Sequence, residues 1–231
     1  MSIKPKRHEL QSQKYRLAHG MERSLRPRLI LPERHLFVTE GTKTEPNYLN
    51  GLIDRIGQRM GEAARKQFRV IGDGGCTLNL LKKAEAYQKS DADNFQHVWI
   101  IYDKDDFPAD AFDNTVNRCA ALNKRYEGEG RDLCFHAIWS NQCIELWFLL
   151  HYSLLQSDIS REEYRAKLSK CIGRHYEKND TKIFQTLFPY IDDAIKHAKK
   201  LMSSYEDSLS PSQKAPCTKC YELLECLKHY I

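Results

Sequence analysis

Val98-Trp99-Ile100-Ile101-Tyr102-Asp103-Lys104-Asp105-Asp106 carries five apolar residues straight into an acidic knot. The apolar part is β-branched and aromatic, lacks polar alternation and is too short for a free-standing helix. It predicts a strand buried on both faces, as in the middle of a parallel sheet. In open α/β sheets ligands sit in the crevice outside the carboxyl ends of the strands, which is where the acids fall. Asp103 and Asp105 are two apart, so along an extended chain their side chains point to the same side. Neighbouring carboxylates oppose each other's ionisation unless a cation lies between them. The pair is therefore half of a candidate Mg²⁺ site.

A second strand signal, His35-Leu36-Phe37-Val38-Thr39, also ends on an acid, in Glu40-Gly41-Thr42-Lys43-Thr44-Glu45-Pro46-Asn47-Tyr48. Gly41 allows a tight turn out of the strand. Thr44 or Glu45 is expected to cap the next helix, with Pro46 in its first turn. Glu40 and Glu45 then share the sheet edge with Asp103 and Asp105. Each acid alone also suits a βα loop or a helix N-terminus, where it complements the dipole. Their combination at two strand ends is more specific.

Between these strands Tyr48, Leu49, Leu52, Ile53, Ile56 and Met60 recur at helical spacing, and Phe68-Arg69-Val70-Ile71 is a short strand. Gly72-Asp73-Gly74-Gly75-Cys76-Thr77 lacks the Gly-Lys-Ser/Thr ending of a P-loop and reads as a strand-to-helix turn. A helix is expected from about Ala109 to Tyr126, then a fourth strand, Leu133 to Trp139, with Ser140-Asn141 as N-cap of a helix carrying Glu145. This βα alternation predicts an α/β fold: a mostly parallel, right-handed sheet flanked by helices. From Leu154 onward no strand signal appears. Arg161 to Ile172, Phe184 to Tyr205 and Thr218 to Tyr230 read as a helical C-terminal extension, with Pro189 separating two helical pieces. The expected organisation is a basic arm over 1–33, an α/β domain over 34–153 and a helical region over 154–231.

At 231 residues the chain has room for one sizeable core plus an appendage. It has no apolar run long enough to span a bilayer and no apolar leader, which points to a cytoplasmic protein without a membrane partner. Most of the eight cysteines sit in apolar contexts and read as small core residues. Cys217, Cys220, Cys226 and His229 have zinc-ligand types. Six helical residues between Cys220 and Cys226 turn ~600° and rise ~9 Å, which does not close a tetrahedron. The nine histidines are scattered, with no spacing that argues a metal pair.

Residues 1–34 hold nine Lys or Arg against three Glu, while the whole chain is at +5, so the positive excess lies in the arm. Lys4, Lys6, Arg7, Lys14, Arg16, Arg23, Arg26 and Arg28 are candidate nucleic-acid contacts through phosphate neutralisation. A solvated tail, or a strap docked on the acidic body, fits the same composition.

The blocks Thr39 to Leu49, Tyr102-Asp103-Lys104-Asp105 and Ser140-Asn141-Gln142-Cys143-Ile144-Glu145-Leu146-Trp147-Phe148-Leu149-Leu150-His151 resemble three signatures of the RloB-like (AbiLii-like) family, over roughly 34–231. An Asp-x-Asp after a buried strand, preceded by a strand ending in Glu-Gly, is also similar to the Toprim domain of topoisomerases and bacterial primases. The resemblance implies a Toprim-like fold and a Mg²⁺-dependent activity in prokaryotic defence against phage, often encoded beside an ABC- or AAA-type ATPase. This chain departs in having Gln142 where the family usually shows Pro, and in its C-terminal cysteines. Neither departure touches the carboxylates.

Glu145 lies among apolar residues, so its carboxylate must be solvated at the helix start, hydrogen-bonded or bound to a cation. Pointed at the sheet edge, it completes a cluster of Glu40, Glu45, Asp103, Asp105 and Glu145, hard oxygen ligands suited to Mg²⁺ or Mn²⁺. Glu40, Asp103 and Asp105 are the catalytic candidates, with Lys43 as a neutraliser of developing phosphoryl charge. The leading expectation is a metal-dependent nuclease or phosphoryl-transfer enzyme acting on DNA or RNA, its helical C-terminus serving as a partner or homo-oligomer surface. The alternatives are a non-catalytic adaptor that regulates a companion ATPase, and an enzyme that makes or cleaves a nucleotide signal.

Overall fold

The computed structural model describes residues 30–75, 77–90, 95–105 and 108–231. Asp106 and the arm residues Lys4, Lys6, Arg7, Lys14, Arg16, Arg23, Arg26 and Arg28 lie outside the described residues. The chain divides into Met1–Leu31 and Pro32–Ile231, and every element below belongs to the second unit.

In chain order the elements are β1 (His35–Thr39), α1 (Thr44–Met60), α2 (Glu62–Arg65), β2 (Phe68–Gly72), α3 (Thr77–Ser90), β3 (His97–Asp103) and α4 (Ala109–Gly128). Then come β4 (Cys134–Asn141), α5 (Glu145–Leu150), α6 (Arg161–Ile172), α7 (Ile183–Leu187), α8 (Ile191–Met202), β5 (Cys217–Thr218) and α9 (Cys220–Leu227). The strands form one sheet in the order β2-β1-β3-β4-β5. The first four are parallel, and β5 runs antiparallel to β4. The mostly parallel α/β sheet expected from the βα alternation is therefore the observed fold. Among the described residues no helix is long and apolar enough to cross a membrane.

The quoted apolar run forms β3 because its neighbours cover both faces, and each residue from Val98 to Tyr102 is at most 3% exposed. On one face Tyr102 meets Phe112 of α4 edge-on at 5.2 Å, and Phe112 meets Trp139 at 5.8 Å. On the other, Ile101 and Ile138 face Tyr48 and Leu49 of α1 and Leu223 and Leu224 of α9.

At the amino ends of the strands three histidines that are scattered in sequence come together. The parallel register sets His35 beside His97, and Trp99 beside His136. Trp99 donates its indole N–H to His35 Nδ1 at 3.0 Å and stacks on His136 at 3.9 Å between centroids. Burial, then the neighbouring His97, pushes His35 down to about 3 and His136 to about 4. This stack belongs to the core, at the opposite end of the strands from the acids.

The C-terminal helices close over the α1 side. Trp147 of α5 donates to the Tyr48 hydroxyl at 3.0 Å, and α6 and α8 pack against α5. Pro189 sits in a 3₁₀ turn between α7 and α8, as its ring predicts. One expectation fails: Cys217–Thr218 pairs as a strand, although nothing after Leu154 reads as one. Two residues are too few to show alternation, and the pairing is set by contacts with β4. There Lys219 N–H reaches Trp139 O at 2.9 Å, and the Ser140 and Thr218 hydroxyls lie 3.0 Å apart.

Gly51 lets α1 meet α7, since a Cβ built on it would lie 2.5 Å from Phe184 Cβ. Gly51→Ala gains up to ~1 kcal/mol of helix propensity, against an overpacking cost of ~1–3 kcal/mol. The expected outcome is a lower urea midpoint with an unchanged slope. A midpoint at or above wild type would show that Phe184 moves aside freely.

Candidate functional site

From β1 the chain passes to β2 on one side, then crosses back over β1 to β3 on the other. The strand order reverses between β1 and β3, so a crevice opens beyond their carboxyl ends. Glu40 follows the last residue of β1, and Asp103 is the last residue of β3. Glu40 N–H donates to Ile101 O at 3.0 Å, and Glu40 Oε2 accepts from Asp103 N–H at 3.3 Å. Beside them the glycine-rich turn after β2 spends its amides on β1: Asp73 N–H bonds Thr39 O at 3.0 Å and Gly74 N–H bonds Glu40 O at 2.9 Å.

At the start of α1 the expected cap is absent. Lys43, exposed, holds the N-cap position without a side-chain cap, and Thr44 instead donates its hydroxyl to Lys178 O at 3.1 Å. A partner 134 residues away has outcompeted the local cap. Glu45 therefore falls in the first turn, 6% exposed, with its carboxylate folded over Gly41. A Cβ on Gly41 would lie 2.1 Å from Glu45 Oε2, so glycine is required for that carboxylate to sit there.

The Asp-x-Asp pair also differs from its extended expectation. Asp105 has φ +44°, so the chain has already turned, and the same-side rule does not apply. The turn is held to the end of β4 by Lys104 N–H to Ser140 O at 2.9 Å, and to the residue after it by Asp105 N–H to Gln142 O at 3.1 Å. The Asp105 carboxylate lies 3.1 Å from Arg161 Nη2 of α6.

Ser140 and Asn141 do not cap α5. They are the last residues of β4, and Asn141 gives its amide to Pro211 O and Ser212 O. The backbone N–H of Ile144, the N-cap residue, is instead satisfied by Asp103 Oδ2 at 3.1 Å, from a strand 41 residues away. Asp103 Oδ1 is buried and has no hydrogen-bond partner. Glu145, 2% exposed, accepts from the Tyr176 hydroxyl at 3.3 Å and faces Arg165 Nε at 3.8 Å.

The structure thus brings Glu45, Asp103, Asp105 and Glu145 within electrostatic reach of one another, with Glu40 joined through the Asp103 backbone. Burial pushes the Asp103 carboxyl well above its usual range, and Glu45, Glu145 and Asp105 push the same way. Burial also raises Glu45, with Glu145 and Asp105 adding to the rise while its own backbone N–H and Lys178 offset it. Sequence reasoning missed the cations at these acids: Arg161, Arg165 and Lys178. The only available signal was that Arg161 and Arg165 are four apart at the start of a helix. Among the described residues no three His, Cys, Asp or Glu side chains are already gathered as metal ligands. Asp105 and Glu145 are engaged by arginines in this arrangement. The donors are all carboxylate oxygens, and one of them, Asp103 Oδ1, is buried without a partner, a chemistry that suits a small hard cation.

A family profile described as RloB-like protein matches residues 35–227. The chain belongs to the RloB-like family. The match spans β1 through α9, and so includes every carboxylate of the cluster together with Arg161, Arg165 and Tyr176. No curated protein and no solved structure matches this RloB-like chain.

Proposed function

We propose that this RloB-like chain is a Toprim-type, divalent-cation-dependent phosphoryl-transfer enzyme that cleaves the phosphodiester backbone of nucleic acid in defence against phage. The observation that carries the reading is the orphaned Asp103 Oδ1, buried among carboxylates at the β1/β3 crevice. A buried carboxylate facing other acids is relieved by taking up a proton, the direction in which its pKa is pushed, or by binding a cation, which lets the whole cluster stay ionised. Glu40, Glu45, Asp103, Asp105 and Glu145 are the residues that would hold Mg²⁺ or Mn²⁺. Bound there, the ion supplies Lewis-acid stabilisation of charge developing on a phosphoryl oxygen. Asp103 orients the site by tying the α5 N-terminus to the end of β3, and Glu40 fixes the Asp103 backbone. Lys43, exposed just before α1, would neutralise charge on an entering backbone. The family resemblance supports the setting in phage defence and a companion ABC- or AAA-type ATPase.

The decisive experiment incubates the purified protein with labelled DNA, RNA and nucleoside triphosphates in Mg²⁺ and Mn²⁺, alone and with the product of its genomic neighbour. Metal-dependent polymer cleavage, absent in Asp103→Asn, is the expected result. Turnover of triphosphates alone would favour a signal-nucleotide enzyme. Metal binding without turnover of any substrate would favour an adaptor.

The arm gives a separate expectation from its charge. Deleting residues 1–28 removes eight Lys and Arg. If these side chains neutralise phosphates, affinity falls and the slope of log affinity against log salt flattens by roughly 0.7–0.9 for each phosphate left unneutralised. Equal affinity at every salt concentration would show that the arm does not touch the polymer.

A further inference from the structure

Two buried polar atoms of opposite character are left without hydrogen-bond partners in this site. Asp103 Oδ1 is an acceptor lacking a donor, and Arg165 Nε is a donor lacking an acceptor. Its 3.8 Å contact with Glu145 Oε1 is an ion pair too long for a hydrogen bond. Four residues earlier on α6, and so on the same face, Arg161 Nη2 holds Asp105 Oδ1 at 3.1 Å. The helix beneath them is firmly placed. Tyr164 and Leu168 are fully buried, and a Ser160–Glu163 capping box fixes its start.

We propose that Arg161 and Arg165 bind the substrate's phosphate, and that Asp105 and Glu145 hold them in position until a divalent cation takes over those carboxylates. The inference rests on the metal-dependent reading above. Neither a cation nor an anion alone satisfies the site. A lone phosphate meets a cluster of carboxylates, and a lone cation leaves Arg165 Nε without an acceptor beside it. A cation and a phosphodiester entering together satisfy both orphans: the cation serves Asp103 Oδ1, and a phosphate oxygen serves Arg165 Nε. The planar guanidinium fork matches phosphate oxygens as well as carboxylates, so the exchange of partner keeps the arginine geometry. Metal and phosphate then bind with positive coupling, and each must raise the affinity of the other by the same factor. The charge arrangement of the metal-free site is thereby a device that discriminates against empty metal loading.

The test uses the full chain as wild type, Arg161→Gln, Arg165→Gln and Arg165→Lys. A short fluorescein-labelled oligonucleotide, prepared as DNA and as RNA, is titrated by anisotropy in EDTA and in Ca²⁺, which takes oxygen donors as Mg²⁺ does. Mg²⁺ alone is titrated calorimetrically into each protein. In the wild type, metal should raise affinity for one of the two polymers by about tenfold or more, within the usual range of coupling. Both Gln variants should lose most of that increment while binding Mg²⁺ alone at least as tightly as wild type, because an opposing charge is gone. Arg165→Lys keeps the charge but not the fork, so its increment should fall with Mg²⁺ affinity unchanged. An undiminished increment in the variants overturns the proposal, as does loss of Mg²⁺ affinity in step with the increment, which would make the arginines supports for the carboxylates. If a Gln variant fails to fold, Arg165→Lys alone decides. A wild type that binds no Mg²⁺ removes the metal-dependent reading and this inference with it. A wild type that binds Mg²⁺ but shows no increment with either polymer removes the inference alone.

Discussion

Asp103→Asn should melt at least as high as wild type in EDTA, gain almost nothing from Mg²⁺, and show activity no higher than background. Asparagine keeps an oxygen to accept the Ile144 N–H bond, so the link that ties β3 to α5 survives. What it removes is a buried charge facing Glu45, Glu145 and Asp105. The linkage sign follows from the direction of the shift. A carboxyl whose folded pKa is raised contributes stability at low pH and loses it as pH rises through the folded value. Each unit of such elevation corresponds to about 1.4 kcal/mol, so the comparison is clearest at pH 8. In the wild type, Mg²⁺ at a hundredfold excess over its dissociation constant stabilises by about 2.7 kcal/mol, or ~5–10 °C for a unit of this size. Calorimetry of both proteins with EDTA and with Mg²⁺ separates the cases. If Asp103 serves only as the α5 cap, the substitution leaves the metal response of wild type intact, and that result would remove the main support for catalysis. Asp103→Ala is the control, because it loses the cap as well and should cost roughly 1 kcal/mol.

Acid should destabilise the fold well before the carboxylates that support it are protonated, because the structure holds three histidines neutral, His136 and the two most buried, His35 and His151. His35 accepts the Trp99 indole N–H on Nδ1, so protonating that nitrogen breaks the bond. His151 donates from Nδ1 to Trp147 O at 2.9 Å, and its Nε2 is buried without a partner. Burial takes the first to about 3 and the second to about 4, from an ordinary value of 6.5. A depressed histidine contributes stability that is complete above the unfolded pKa and is lost as pH falls below it. At pH 5 each of the two should have forfeited about 2 kcal/mol. Asp103 and Glu45 slope the other way and offset part of this loss. The melting temperature should therefore fall by several degrees between pH 7.5 and pH 5, and more steeply in Asp103→Asn, which lacks the larger opposing carboxylate. A flat profile in both proteins would show that the histidines are not held neutral.

The histidine stack and the acid cluster differ in how far each could be read from the residues. The acids lie next to apolar runs, and an apolar run bounded by Gly, Pro or charge is a local signal. Val98–Tyr102 was legible as a buried strand and His35–Thr39 as a shorter strand on composition alone, and their order in the chain placed Glu40 and Asp103 at one sheet edge. The same reasoning did not find the stack, because His35, His97 and His136 carry no common spacing and meet only through the register of β1, β3 and β4. Helix starts were misread for a related reason. Thr44 and Ser140 are good local caps by type, yet each found a better-placed partner far along the chain.

The α/β class, the strands that carry acids and the helical character of the C-terminal third follow from the residues alone, since these rest on periodicity and propensity within a few residues. It took the packed chain to show that β1 and β3 are neighbours across a reversal of strand order, that Asp103 caps a helix 41 residues away, and that α6 sets Arg161 and Arg165 against Asp105 and Glu145. Those outcomes depend on which buried polar groups must find partners once the core has closed. That requirement is imposed by desolvation in three dimensions and leaves no mark on residue spacing.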